Sequence, residues 1–137
     1  MKIKKISQIF HTTTVTAALV FSLTASGCVY LVVGSIGALG GYIISPDTVE
    51  GIVHTDEKEL WDKANSVLAI MGSIEEVNEE GGVILAKVAG AKVSVVMLPY
   101  DKDSMKIRVK ARKAFLPKIS TAQDVYVKIM SEVNEQH

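Results

Sequence analysis

The chain of 137 residues is long enough for one small domain with a modest hydrophobic core. It carries 15 Lys and Arg residues and 15 Asp and Glu residues, and nothing in this balance suggests nucleic-acid binding, which calls for a strongly basic face. A single cysteine excludes an intramolecular disulfide and a cysteine-rich zinc site.

The first 27 residues have the features of a secretory signal peptide. Three lysines lie within residues 1–5, and residues 15–25 form an apolar run of the length usual for a signal-peptide core. Small residues precede the cysteine in Ala25-Ser26-Gly27-Cys28, a pattern that resembles the lipobox of bacterial lipoproteins. The resemblance implies cleavage before Cys28 and acylation of its thiol with fatty chains such as palmitate. The alternatives are an uncleaved transmembrane helix, since residues 6–46 contain no Lys, Arg, Asp or Glu, and a buried structural cysteine.

Acylation of Cys28 predicts a location at a membrane. Two or three chains on one cysteine would hold the protein there, because each buried methylene adds about 0.8 kcal/mol. Residue 29 is valine, whereas aspartate at that position commonly retains enterobacterial lipoproteins in the inner membrane. We therefore expect the periplasmic face of the outer membrane in a Gram-negative host. Loss of the three leader lysines leaves 12 Lys and Arg residues against 15 Asp and Glu residues, so the mature chain is mildly acidic.

Residues 28–46 form a second apolar segment between the anchor and the domain. A helix over residues 29–44 would span about 24 Å, short of the roughly 30 Å hydrocarbon core. Its periodicity collects small side chains on one face, a pattern that favours close helix association in lipid and therefore self-association. These helix-association candidates are Gly34, Gly37, Ala38 and Gly41. The alternative is a flexible glycine-rich tether, and Pro46 ends the segment in either case.

The globular domain is predicted over residues 47–137, and it begins with a strand and a helix. The strand covers residues 50–55. Asp56 and Glu59 form a capping box at the start of the helix, and Gly72 ends it. Helical spacing predicts the buried stripe Leu60, Ala64, Val67, Leu68 and Met71.

Four strands and a final helix follow. The strands cover residues 73–80, 83–88, 92–98 and 105–111, with turns between them. We expect Phe115-Leu116-Pro117 to plug an end of the core. Ser120 and Gln123 predict a second capping box. The last helix should bury the stripe Tyr126, Ile129, Met130 and Val133.

This order predicts an α+β fold, β-α-β-β-β-β-α. Hairpin turns make the sheet mainly antiparallel, and one apolar stripe on each helix places both helices on the same face of the sheet. The architecture is therefore a two-layer sandwich.

Two sequence features resemble an uncharacterised domain-of-unknown-function family of small Gram-negative lipoproteins. One is the glycine- and alanine-rich stretch Gly34-Ser35-Ile36-Gly37-Ala38-Leu39-Gly40-Gly41 after the cysteine. The other is the hairpin Gly90-Ala91-Lys92-Val93-Ser94-Val95 with Lys106-Ile107-Arg108-Val109. The resemblance implies an envelope location and this fold, and it brings no activity.

The sequence predicts no enzyme, no cofactor and no metal site. His54 has no nucleophile or second base at a recognisable spacing, and we expect an ordinary surface histidine. The acidic pairs Glu75-Glu76 and Glu79-Glu80 border a strand and a turn, where solvation is the simplest explanation.

The outward face of the last hairpin is the predicted partner surface. Pairing Tyr100 with Ser104 across the turn sets Leu98 beside Lys106, Val96 beside Arg108 and Ser94 beside Lys110. The candidate surface is therefore Val96, Leu98, Lys106, Arg108 and Lys110, suited to an acidic partner or to anionic lipid headgroups. The alternative is a solvated sheet face. Charge reversal at Arg108 and Lys110 is expected to leave the fold intact.

These features predict a membrane-anchored envelope lipoprotein with a structural or protein-interaction role. The alternative function is a carrier that holds a small apolar ligand or lipid between sheet and helices, which needs a cavity of roughly 300–1,000 Å³.

Overall fold

The computed structural model describes residues 37–135; the signal peptide, Cys28, Val29 and Gly34 lie outside them. The predicted α+β two-layer sandwich is confirmed. In chain order its elements are β1 (Gly41–Ser45), β2 (Thr48–Val53), α1 (Glu57–Met71), β3 (Gly72–Asn78), β4 (Val83–Val88), β5 (Ala91–Asp101), β6 (Ser104–Lys113), β7 (Leu116–Pro117) and α2 (Ile119–Asn134).

The strands form one antiparallel sheet in the order β1-β2-β6-β5-β4-β3, and β7 pairs with the end of β6. Strands β3 to β6 follow one another through hairpins, as predicted. Strand β2 instead pairs with β6, the last long strand, across the whole register from Thr48↔Lys110 to Val53↔Met105. The N-terminal hairpin is therefore attached to the sheet by a pairing between distant parts of the sequence.

Both helices cover one face of the sheet, and the core lies between the two layers. Helix α1 starts at Asp56, whose carboxylate accepts a hydrogen bond from the Glu59 backbone N–H at 2.7 Å, and it ends at Gly72. Both ends are where the sequence predicts them. The predicted helix stripes are buried, except that Met71 is half-buried. The largest fully buried side chains are Tyr126, Leu60, Leu68, Ile84, Ile107, Ile129 and Met130.

The prediction of one helix through residue 44 is wrong. Gly37 and Ala38 are helical, but the Gly40 N–H bonds back to the Gly37 carbonyl at 3.1 Å and Gly40 adopts φ +73°. The chain then enters β1 at Gly41, because an unpaired edge of β2 is available to it. Gly41 therefore does not share a helix face with Gly37 and Ala38, and the domain includes β1 rather than beginning at residue 47.

Two local predictions near the C-terminus are also wrong. Phe115 and Leu116 do not plug the core, because β7 extends the sheet past its end and leaves both side chains exposed. Helix α2 starts at Ile119, after Lys118 and without a side-chain cap, so Ser120 lies inside the helix and Gln123 is buried. Between residues 37 and 135, neither helix is long and apolar enough to cross a bilayer.

Candidate functional site

The face of the sheet opposite the helices is the candidate site, and we call it the open face. The predicted neighbours Leu98↔Lys106, Val96↔Arg108 and Ser94↔Lys110 are the observed pairs. The pairing of Tyr100 with Ser104 is wrong, because a β-bulge follows Pro99 and Asp101 takes that position. The residues predicted as a partner surface thus share one face.

A stripe of aliphatic side chains crosses the middle of the open face. Val83 on β4 pairs with Val96 on β5, and Leu85 and Leu98 lie two residues along the same strands. Val83, Leu85 and Val96 are half-buried, while Leu98 is 44% exposed. Among the described residues, no helix covers this stripe. Its apolar surface is therefore available for contact with a partner.

The cations of β6 are paired with a carboxylate that the sequence analysis did not place. Glu50 of β2 is only 5% exposed and lies opposite Arg108. Its carboxylate accepts hydrogen bonds from the Arg108 guanidinium and from the Tyr42 hydroxyl, each at 2.7 Å, and the Lys106 ammonium lies 3.7 Å away. Glu50 of β2 therefore links β1 to β6, and Arg108 binds it on one side and faces solvent on the other.

Asp47, in the turn between β1 and β2, makes a second cluster of the same kind. It is 5% exposed and accepts hydrogen bonds from the hydroxyls of Ser45 and Thr48 at 2.7 Å. The Arg112 guanidinium also binds it, and the Lys110 ammonium lies 3.8 Å away. Two buried carboxylates thus fasten the N-terminal hairpin to four cations of β6.

These contacts shift the acid–base behaviour of the carboxylates. Hydrogen bonds from Thr48, Ser45 and Arg112 hold the pKa of Asp47 well below its usual range. The Tyr42 hydroxyl and then Arg108 lower the pKa of Glu50, against the opposing effect of burial. Both groups are therefore ionised at neutral pH, and the positive charge predicted for this face is partly compensated.

A groove of about 280 Å³ lies beside the Asp47 cluster on the open face. Leu85 and Ser94 contribute apolar and hydroxyl surface, Glu75 lines one wall, and three cations lie around it. These cations are Lys92, Lys110 and Arg112. The arrangement suits a carboxylate or phosphate group attached to an apolar body.

The other candidates from the sequence do not assemble into a site. His54 is exposed beyond the end of β2, and Glu75 and Glu76 are exposed on the edge strand β3. In the part of the chain that the structure describes, no three His, Cys, Asp or Glu residues are grouped to hold a metal ion.

Acidification is expected to destabilise the domain through Asp47 and Glu50. Their pKa values are lower in the folded chain than in the unfolded chain, so the unfolded state binds more protons as the pH falls. The stability they contribute is present above about pH 4.5 and is lost below it. Urea midpoints measured from pH 7 to pH 2 should therefore fall below about pH 4.

The variant Asp47→Asn should flatten this acid dependence, because the group no longer titrates. Glu57→Gln is the matched control, since Glu57 is exposed in the first turn of α1, and it should keep the wild-type dependence. An Asp47→Asn variant with an undiminished acid drop would contradict the assignment.

No protein-family model matches the chain, and no curated protein matches it. Chains of solved structures also match it, among them the following two. The solution structure of a structural-genomics target protein from Cytophaga hutchinsonii is 16% identical, with a TM-score of 0.40, and the match covers 68% of this chain and 96% of that one. The crystal structure of a conserved protein from Geobacillus kaustophilus is 10% identical, with a TM-score of 0.35, covering 66% and 95%.

Proposed function

We propose that this chain is an envelope lipoprotein, anchored through Cys28, that presents the open face of its sheet to a protein partner. The anchor is inferred from the leader and from the small residues before Cys28. The observation that carries the interaction role is the open face itself, where an uncovered aliphatic stripe lies next to half-exposed cations that are already held in place.

The held cations favour recognition over simple solvation. The nearly buried Glu50 carboxylate fixes the Arg108 guanidinium in position. Binding of a partner carboxylate to Arg108 therefore costs less side-chain entropy than binding to a mobile arginine. The aliphatic stripe beside it adds apolar contact, and Arg supplies directional hydrogen bonds. An acidic segment with apolar residues is the partner chemistry that fits.

The interaction role is preferred to the carrier alternative. The groove of about 280 Å³ lies on the open face, while the residues between sheet and helices form a continuous buried core. A ligand held between the layers would have to displace side chains that are fully buried, such as Ile107 and Ile129.

Palmitate labelling tests the anchor. We expect label in the wild-type chain and none in Cys28→Ala, because this cysteine is the only one present. Membrane fractionation of the labelled protein should place it with outer-membrane markers, as residue 29 is not aspartate. An unlabelled wild type would remove the anchor from the proposal.

Site-specific photo-crosslinking in intact cells tests the interaction. A photoreactive residue at Leu98 on the open face should give an adduct of one discrete mass, and the same residue at Ile70 on α1 should not. The two positions form a matched pair, because both are exposed aliphatic residues on opposite layers. Equal adducts from both sites, or none from Leu98, would contradict the interaction role.

A further inference from the structure

One end of the sheet carries two exposed apolar side chains, and we call it the sheet tip. It consists of the β4–β5 turn, Ala89-Gly90, and the β6–β7 turn, Ala114-Phe115. Phe115 is 93% exposed and Leu116 is 68% exposed. A phenylalanine with almost its whole surface in water is unfavourable unless something covers it.

The tip holds Phe115 outward by backbone geometry. Lys113 pairs with Leu116, so Ala114 and Phe115 form a two-residue turn, and Ala114 adopts a φ of +53°. The Lys118 N–H donates to the Ala111 carbonyl at 3.0 Å and fixes the chain on the far side of the turn. The projecting ring is therefore presented by a defined hairpin and not by a long loop.

Cations surround the two apolar side chains. Across the sheet Lys87 lies directly opposite Lys92, and Lys92 lies directly opposite Arg112. Like charges in directly opposed positions are unfavourable without a counter-charge. The Lys113 side chain reaches over Gly90, and Lys118 follows β7. Among ion pairs within residues 37–135, only the pair of Arg112 with Asp47 involves this group of five cations.

We propose that the sheet tip docks on an anionic bilayer, with Phe115 and Leu116 in the interfacial region and the surrounding cations on lipid phosphates. This rests on the proposed function, which brings the tip to a membrane. A convex tip with one projecting aromatic ring fits a fluid bilayer, which can close around it, whereas a protein partner would need a matching pocket. Anionic lipid supplies the counter-charges that Lys87 and Lys92 lack within residues 37–135, where Arg112 alone of this row is paired, with Asp47.

The linker allows this contact. Strand β1 runs toward the tip and spans about 14 Å from Gly41 to Ser45. Residues 37–40 are folded against the domain, so the nine residues from Cys28 to Gly37 can reach at most about 32 Å. The acyl anchor and the tip can therefore occupy the same leaflet. The open face would then lie roughly perpendicular to the membrane surface.

The full acylated chain, reconstituted into vesicles, tests the proposal. A polarity-sensitive fluorophore is attached at Phe115→Cys in one sample and at Lys102→Cys, in the turn at the opposite end of the sheet, in another. In vesicles with phosphatidylglycerol and nitroxide-labelled lipid, we expect quenching at residue 115 to exceed that at residue 102 by about threefold or more. Quenching at residue 115 should fall in phosphatidylcholine vesicles and at high salt.

Controls separate this proposal from the anchor. The parent chain without an engineered cysteine should take no fluorophore, and labelling there would show that Cys28 is unacylated and contradict the anchor. The tip is then measured in chains that also carry Cys28→Ala, whose only label is at residue 115 or residue 102. Adding Lys92→Glu with Lys113→Glu should lower quenching at residue 115, and the matched pair Lys58→Glu with Lys63→Glu on α1 should not. Equal quenching at residues 115 and 102, or equal quenching in neutral vesicles, would overturn the proposal.

Discussion

Replacing Gly51 with alanine is expected to destabilise the domain by about 3 kcal/mol. Gly51 lies on the core side of β2, where an added Cβ would overlap the hydroxyl oxygen of Tyr126 and lie 2.8 Å from its Cζ and 2.9 Å from the Gly40 carbonyl oxygen. Tyr126 is fully buried and its hydroxyl donates to the Leu39 carbonyl at 3.1 Å, so it has no room to retreat. Urea denaturation followed by Trp61 fluorescence measures the change.

Gly37→Ala is the matched control for this substitution. Within residues 37–135, no atom beyond the adjacent residue lies within 4 Å of a Cβ built at Gly37, and we expect a change of no more than about 0.5 kcal/mol. Burial raises the pKa of Tyr126 to about 12. Its hydroxyl therefore stays protonated and hydrogen-bonded at the neutral pH at which the two glycine variants are compared. A wild-type midpoint for Gly51→Ala would show that β1 and β2 can move away from α2.

Arg108→Glu is expected to cost about 3 kcal/mol of stability. From the sequence, this reversal is expected to leave the fold intact, because the side chain points away from the core. That expectation does not take account of the nearly buried Glu50 carboxylate, which Arg108 binds and which the new carboxylate would face. The substitution leaves the nearly buried Glu50 carboxylate with only the Tyr42 hydroxyl and the more distant Lys106 ammonium as partners. Chemical denaturation again gives the change directly.

Two variants identify the cause of that loss. Adding Glu50→Gln to Arg108→Glu should recover part of the stability, because the repulsion between two carboxylates is gone. Lys92→Glu makes the same charge change on the same face, opposite Lys87, and it should be neutral or slightly stabilising. A double variant no more stable than Arg108→Glu alone would contradict the repulsion.

The β5–β6 hairpin shows what the sequence can predict. Strict alternation from Met105 to Ala111 assigns each side chain to a face, and a short turn fixes which residues are opposite each other. The error at Tyr100 comes from a bulge, which adds one residue to β5 after Pro99 and leaves the pairing from Lys92 to Pro99 unchanged. The buried faces of the two helices also depend only on local sequence spacing, and the predicted stripes are confirmed.

The carboxylates of the open face show what the sequence does not reveal. Glu50 and Arg108 are 58 positions apart, and Asp47 and Arg112 are 65 apart. Nothing local distinguishes Asp47 or Glu50 from solvated residues, because only the pairing of β2 with β6 brings their partners to them. The strand at Gly41–Ser45 pairs with β2, which the pairing with β6 holds in the sheet, whereas the spacing of small residues alone favours a helix there.

The pairing of β2 with β6 also sets the order in which the molecule can assemble. A chain delivered N-terminus first presents β1 and β2 long before their acceptor strand exists, and an isolated two-stranded hairpin is only marginally stable in water. The four strands from β3 to β6 can pair through local hairpins. The pairing of β2 with β6 must wait until β6, which ends at Lys113, has left the ribosome. Such non-local closure is slow, on the order of milliseconds to seconds. We expect the N-terminal hairpin to be the last part of the sheet to dock.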